Sequence, residues 1–354
     1  MHDEEPKFIH IGQIVQRPAF MRSWERKRHT QAHWLIECIA EFTGVFLYCY
    51  AGIGSQASMV MGAIADEPYL GSLLQVGLAY GVGIVLAVTI CSGTSNGHFN
   101  PCITITFALF KGFPWKKVPR YIISQILGGF VACLIVYLQW RNNILALETA
   151  LEAAGKLDAI QFTPSGPAGI FGMYAQPGAN LGVVFANEFF VDFILALTIF
   201  SCIDPSNFFC PPSVVPYTIG LAYAMAVWSY SPNGLAANTA RDLGGRLAAL
   251  AIWQDTRAGG GSYAAIAALT NIGATVLAAV VYEVVFFDSY RVLPPAQRDY
   301  LFGHKAHALQ ADEAYGTNNA AAHPLRHPHD PHRHDQAELA STSSHDKVNY
   351  EHKV

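Results

Sequence analysis

The sequence predicts an all-α membrane protein with six transmembrane helices and two re-entrant half-helices, arranged as two inverted repeats. Hydrophobic residues make up 52% of the chain and charged residues only 14%, against ~25% charged residues in a typical soluble domain. Apolar runs long enough to cross a bilayer recur along the chain. These predicted spans fall at about 33–54, 72–92, 119–139, 182–203, 213–231 and 263–286.

Two short apolar segments, at about 100–110 and 238–251, each begin at an asparagine. Asparagine is a favoured N-cap residue, and Pro101 suits the first position of a helix. Both segments are too short to cross a hydrocarbon core of roughly 30 Å. We therefore expect two half-helices that dip into the membrane from Asn100 and Asn238, where irregular backbone must line a cavity or be buried in protein.

The two halves of the chain repeat one pattern, over about 33–139 and 182–286. Glu41 opens the first span of one half, and Glu188 opens the first span of the other. Three spans per half is an odd number, so the second repeat must enter the membrane from the opposite side. The N-termini of the two half-helices are then predicted to meet near the midplane.

The acids inside the predicted spans need hydrogen-bond donors, because a buried carboxylate is costly without them. We expect Glu41 and Glu188 to accept hydrogen bonds from the irregular backbone that leads into each half-helix. Asp192 lies four residues after Glu188, on the same face of the helix, and the sequence identifies no partner for it.

The charged residues lie mainly at the two ends of the chain. Basic residues before the first span and between the second and third place both termini in the cytoplasm. The expected organisation is a cytoplasmic extension over 1–32, a channel domain over 33–286 and a disordered, His-rich tail over 287–354, with a long outside loop from about 140 to 180. A net charge of -4 argues against nucleic acid as a partner. No cofactor or metal is expected, since His98 has no second ligand at metal spacing.

The region 33–286 resembles the major intrinsic protein family, which comprises the aquaporins and aquaglyceroporins. The resemblance is carried by the two asparagine boxes, by His98 two residues before the first box, and by Arg241 and Asp242 after the second. It implies the family's fold and a homotetramer with one pore in each subunit. The boxes depart from the usual Asn-Pro-Ala, because Cys102 replaces Ala and Thr239 replaces Pro, and Gly245 stands where Pro is common. The box residues are Asn100, Pro101, Cys102, Asn238, Thr239 and Ala240.

The resemblance also implies a narrow filter. Matched by spacing around each box, its positions hold Tyr80, Ala226, Leu235 and Arg241. Water-selective members place His where Ala226 stands, so the filter is expected to be wider and less polar. The position of Asp242, directly after Arg241, resembles the pattern of the family's glycerol-conducting branch.

The predicted function is a passive channel in the lipid bilayer, in the plasma membrane, for water and small uncharged solutes such as glycerol. The positive ends of the two half-helices should repel protons and cations at the centre, as in aquaporin-type pores. A water-selective or a peroxide- or ammonia-permeable aquaporin is an alternative, and a coupled secondary transporter is another. An intramembrane hydrolase would need Ser92 or Ser95 to act with His98, and no orienting acid lies within sequence reach, so no catalytic residue is predicted.

Overall fold

The structure is a computed structural model that describes residues 9–67 and 69–315, and these residues contain helices and no strands. Twelve α-helices follow one another, of which α11 continues as a π-helix over Tyr282–Phe286. Their bounds are α1 Ile11–Ile14, α2 Ala19–Thr30, α3 His33–Ala65, α4 Leu73–Ser95, α5 Pro101–Phe110, α6 Val118–Ala153, α7 Leu157–Ile160, α8 Leu181–Ile203, α9 Val215–Tyr230, α10 Thr239–Trp253, α11 Tyr263–Val281 and α12 Pro295–Tyr315.

The predicted fold class is confirmed. Five stretches, built on α3, α4, α6, α8 and α11, are long and apolar enough to cross a membrane. The fifth predicted span, at about 213–231, forms α9, which has 16 residues and is therefore only about 24 Å long. The two half-helices are α5, with 10 residues, and α10, with 15 residues.

The packing follows the two repeats. In the first, α3 packs against α4 and α6, and in the second, α8 packs against α9 and α11. The halves meet where α4 crosses α9, and a Cβ at Gly81 or at Gly220 would run into the backbone of the other glycine. Each half-helix also packs against the third span of the other repeat, α5 against α11 and α10 against α6. The two half-helices are thereby enclosed by both halves of the bundle.

The third span is longer than predicted. The sequence led us to expect a loop from residue 140, but α6 continues to Ala153. Ile144, Leu147 and Leu151 are buried in the main hydrophobic core, which explains the extension. The connecting loop therefore begins after residue 153 and runs over the bundle through Phe171, which is fully buried.

The expectation of disorder after residue 287 is wrong for residues 295–315, which form α12. Pro295 is the first residue of this helix, a position that suits proline. The side chain of Gln297 donates to the backbone carbonyl of Asn207 at 2.7 Å and fixes the helix to the loop after α8. The most His-rich part of the predicted tail lies outside the described residues. In the predicted N-terminal extension, α1 and α2 are described.

Candidate functional site

Asn100 and Asn238 are the N-cap residues of the two half-helices, as predicted. The side-chain oxygen of Asn100 accepts from the backbone N–H of Cys102 at 3.2 Å. The side-chain oxygen of Asn238 accepts from the N–H groups of Ala240 and Arg241 at 2.8 and 3.2 Å. Each asparagine thus satisfies N–H groups that have no partner within their own helix.

The same two asparagines also join the repeats. The amide nitrogen of Asn100 donates to the carbonyl of Ala237 at 3.2 Å, and that of Asn238 donates to the carbonyl of Phe99 at 2.9 Å. Each asparagine is therefore bonded to the residue directly before the other. Because an amide NH₂ group has two hydrogens, each keeps one more to donate. The N-termini of α5 and α10, each carrying about half a positive charge, face one another at this point.

In the first repeat, Glu41 holds the backbone that leads into α5. Its carboxylate is fully buried and accepts from the N–H groups of His98 at 3.0 Å and Phe99 at 2.8 Å. The hydroxyl of Ser95 and the amide of Gln125 donate to it as well, at 2.6 and 2.7 Å. The carboxylate thus has four donors, which offset the cost of its burial.

In the second repeat, Glu188 has the equivalent role. Its carboxylate accepts from the N–H groups of Ala236, at 2.8 Å, and Ala237, at 2.7 Å. Phe99 and Ala237, the residues just before each asparagine, both have the left-handed backbone conformation, with φ values of 49° and 56°. Both glutamates therefore accept from the loop backbone in the same way, one in each repeat.

Arg241 is buried, with a side-chain environment built from three other elements. Its Nε donates to the hydroxyl of Tyr80 at 3.1 Å and its Nη1 to the carbonyl of Phe171 at 2.6 Å. Its Nη2 lies 3.5 Å from the side-chain oxygen of Gln56, whose own amide donates to the carbonyl of Gly169. These bonds fix the guanidinium group beside the ring of Tyr80. Arg241 lies three residues, about one helical turn, after Asn238, the N-cap of α10.

Gly245 allows the loop carbonyl to reach this arginine. A Cβ at residue 245 would collide with the carbonyl of Phe171 and with the guanidinium of Arg241. The glycine that stands where the family commonly has proline therefore has a steric reason here.

Asp242 does not pair with its neighbour Arg241. It forms a bidentate ion pair with Arg246 one turn later, with Nε–Oδ2 at 2.9 Å and Nη2–Oδ1 at 2.7 Å. Arg246 also donates to the carbonyl of Gly259, beyond the end of α10. Asp242 is therefore paired within α10, and no carboxylate of the described residues forms an ion pair with the guanidinium of Arg241.

The four predicted filter residues come together as two pairs. Tyr80 and Arg241 are hydrogen-bonded to each other. Ala226 and Leu235 pack in one apolar cluster with Val191 and Leu195 of α8. Ala226, Leu235 and Arg241 are buried, and the half-buried Tyr80 packs against the main hydrophobic core.

Both unusual box residues are buried. Cys102 lines a small cavity next to Asn100, and it forms no disulfide. The hydroxyl of Thr239 lies 2.8 Å from the carbonyl of Ala268 and 2.8 Å from the side-chain oxygen of Asn271, both on α11. Thr239 thus links α10 to α11, and the cap formed by Asn238 is intact.

His98 contributes its backbone to the Glu41 network, and its ring lies away from that network. The ring Nδ1 is 3.2 Å from the hydroxyl of Thr104, and the rings of Phe107, Phe113 and Tyr121 surround it. Within the described residues, no group of three or more His, Cys, Asp and Glu side chains could hold a metal ion.

The hydrolase alternative lacks its nucleophile. The hydroxyl of Ser95 donates to Glu41, and the hydroxyl of Ser92 donates to the carbonyl of Val88 one turn earlier. Neither serine is hydrogen-bonded to His98, so the described residues contain no serine–histidine pair at this position.

Several residues of the site were not predicted from the sequence. Gln56 and Gln125 are polar residues within apolar helices, a signal that could have pointed to them. The carbonyls of Phe99, Ala237 and Phe171 carry no such signal, because any residue type supplies a carbonyl.

Comparison with known proteins agrees with this geometry. A family model described as "Major intrinsic protein" matches residues 28–284. The chain is 46% identical over 310 residues to Aquaporin-3 of Laccaria bicolor, an alignment that covers 86% of this chain and 94% of the relative. It is 34% identical over 227 residues to the glycerol uptake facilitator protein of Haemophilus influenzae, with 63% and 82% covered.

Among solved structures, the fold is similar to that of the aquaglyceroporin from Plasmodium falciparum. The TM-score is 0.59 at 21% identity, and the match covers 71% of this chain and 96% of that chain. This likeness supports the all-helical channel fold.

Proposed function

The chain belongs to the major intrinsic protein family, whose members are non-enzymatic membrane channels for water or small solutes, and from this premise we propose that it conducts glycerol and water while excluding protons and ions. The observation that carries the proposal is the reciprocal bonding of Asn100 and Asn238. It holds two positive helix ends and two spare amide donors at one point of the pore.

Ion exclusion follows from the charges along this path. The helix ends at Asn100 and Asn238 disfavour a cation at the centre, and the guanidinium of Arg241 adds a second cationic barrier. A neutral hydroxyl pays no such cost, because it can accept from the amide and guanidinium N–H groups. Water oriented by two donors in this way does not form a continuous proton wire.

Selectivity for glycerol is supported by the residues at the filter positions. Ala226 supplies only a methyl group, and Leu235 and Tyr80 supply apolar surface. A carbon backbone can pass along that surface while its hydroxyls bond to Arg241. The relative named as a glycerol uptake facilitator is consistent with this solute class. A pore that passes water, peroxide or ammonia but not glycerol is the alternative that the test must separate.

We further propose that the protein resides in the plasma membrane with both termini in the cytoplasm and assembles as a homotetramer. The topology is supported by basic residues gathered at one end of the bundle, where Lys117 and Arg120 form ion pairs with Glu37. The oligomer is what family membership implies. Chemical cross-linking in membranes and protease access to tagged termini test these two points.

The direct test is stopped-flow light scattering of proteoliposomes containing the purified full chain. In a glycerol gradient, we expect rapid shrinkage followed by rapid reswelling, both faster than in empty vesicles. Initial flux should rise linearly with glycerol concentration and have a low activation energy. Saturating flux would instead favour a coupled transporter. Fast shrinkage without faster reswelling would show a pore that rejects glycerol.

A further inference from the structure

Asp192 of α8 is a buried acid whose main ionisable neighbour is the carboxyl group of Glu188, one helical turn earlier. Asp192 is only 3% exposed, and neither of its carboxyl oxygens accepts a hydrogen bond within the described residues. Such a group is costly, because burial removes the water that would otherwise solvate it. An arrangement of this kind within a pore protein indicates a site that takes a hydrogen-bond donor.

The surroundings of Asp192 point to the same conclusion. It lines a cavity of about 10 Å³ beside Asn100 and Ala237, together with the hydroxyl-bearing residues Tyr223 and Thr275. That volume is about the minimum for one water molecule. The cavity thus brings the carboxyl group of Asp192 next to Asn100 at the N-terminus of α5.

The repeat symmetry argues against a purely structural role. The first repeat has Val45 at the position that Asp192 occupies in the second, four residues after the loop-holding glutamate. Val45 is fully buried in the main core. An apolar side chain is therefore sufficient to pack this helix position, and the carboxylate of Asp192 needs another explanation.

Without Asp192, the region around Asn100 and Asn238 would offer a solute more hydrogen-bond donors than free acceptors. The asparagine amides supply donors, while the carbonyls of Phe99 and Ala237 already accept from those amides. A hydroxyl group that arrives here finds donors for its oxygen but few free acceptors for its hydrogen. Asp192 provides an unused acceptor on the cavity wall.

Resting on the proposed function, we infer that Asp192 is a specificity-determining residue of the pore, whose carboxylate accepts a hydrogen bond from water held in this cavity. That water relays the bond to a solute hydroxyl passing Asn100. A glycerol molecule then has both a donor and an acceptor available at the central constriction. Single-file water, which can bond to its own neighbours, depends less on this acceptor.

The test compares two isosteric variants of buried carboxylates on the same helix. Asp192→Asn replaces one carboxyl oxygen at the cavity with an NH₂ donor, and Asp204→Asn is the matched control. Asp204 caps the end of α8 and accepts from Ser206 and Tyr282, outside the cavity. Asp192→Val, which copies the first repeat, removes the acceptor altogether. Water and glycerol permeability are measured by stopped flow in vesicles with equal amounts of folded protein.

We expect Asp192→Val to lower glycerol permeability about tenfold, the effect of losing one buried hydrogen bond, while water permeability falls less than about twofold. Asp192→Asn should lie between wild type and Asp192→Val, and Asp204→Asn should keep the wild-type ratio. An unchanged glycerol-to-water ratio in Asp192→Val would overturn the inference. So would equal loss of both fluxes, which would make Asp192 a structural support. Glycerol-impermeable wild-type vesicles would instead refute the proposed function itself.

Discussion

Glu41 and Glu188 occupy equivalent positions in the two repeats and make equivalent bonds. Each accepts from the two backbone N–H groups that immediately precede a helix-capping asparagine. The positions of Asn100 and Asn238 in the pore therefore depend on two buried carboxylates, one from each half of the chain.

Glu188→Gln should destabilise the protein, because the glutamine NH₂ group would face backbone N–H donors and leave at least one of them unpaired. We expect a loss of about 1–3 kcal/mol in the free energy of unfolding. Thermal unfolding in detergent measures it. Glu283→Gln is the control, since its ion pair with Lys111 is partly exposed and should be worth less than about 1 kcal/mol. Equal effects of the two changes would contradict the loop-holding role.

Arg241→Val should keep or raise the flux of uncharged solutes and introduce a small proton or cation leak. The change removes a fixed cation and opens space beside Tyr80, while the helix ends at Asn100 and Asn238 still oppose cations. Adding Asn238→Asp should enlarge the leak, because a carboxylate offsets the positive helix end. Current recordings and vesicle swelling test this order. Loss of all flux in folded, membrane-inserted Arg241→Val would make Arg241 a structural strut that anchors Phe171.

Ala226→His should reduce glycerol flux at least about tenfold and water flux much less. Ala226 is fully buried beside Leu235, so an imidazole at this position adds bulk and polarity where a carbon backbone must pass. Stopped-flow measurements with both solutes give the ratio. Ala226→Val, which adds bulk without polarity, separates the two causes. A proportional loss of both fluxes would show that residue 226 does not line the filter.

Cys102 should make conduction sensitive to small mercurials. Its thiol lines the cavity beside Asn100, so a bound mercury atom would obstruct the centre of the pore. Because Cys102 is only 3% exposed, inhibition should develop slowly. Cys102→Ala should remove the inhibition, and Cys133→Ala, at a buried position in the main core, should retain it. Inhibition that persists in Cys102→Ala would place the reactive thiol elsewhere.

The features that the sequence predicted well depend on local chemistry. Asn100 and Asn238 are recognisable because an N-cap asparagine and a short apolar segment lie together in the chain. Glu41 and Glu188 are recognisable because a carboxylate within an apolar span requires donors. In each case the residue type and its neighbours in sequence are sufficient.

The features that sequence reasoning missed depend on distant packing. One partner of Arg241 is the backbone carbonyl of Phe171, and a carbonyl is the same in every residue. The extension of α6 has buried residues at helical spacing, Ile144, Leu147 and Leu151, but polar residues between them lower the average hydropathy. The His-rich composition of the tail as a whole predicted disorder, and the helix over 295–315 was missed for that reason.

The central claim is that one pore passes neutral hydroxyl solutes and rejects protons. The most direct measurement records glycerol-driven reswelling and an internal pH dye in the same proteoliposomes, with a pH gradient and a potassium–valinomycin potential imposed. The account predicts glycerol flux well above that of empty vesicles and proton flux equal to theirs. Proton entry that rises in parallel with glycerol entry in the wild-type protein would contradict it.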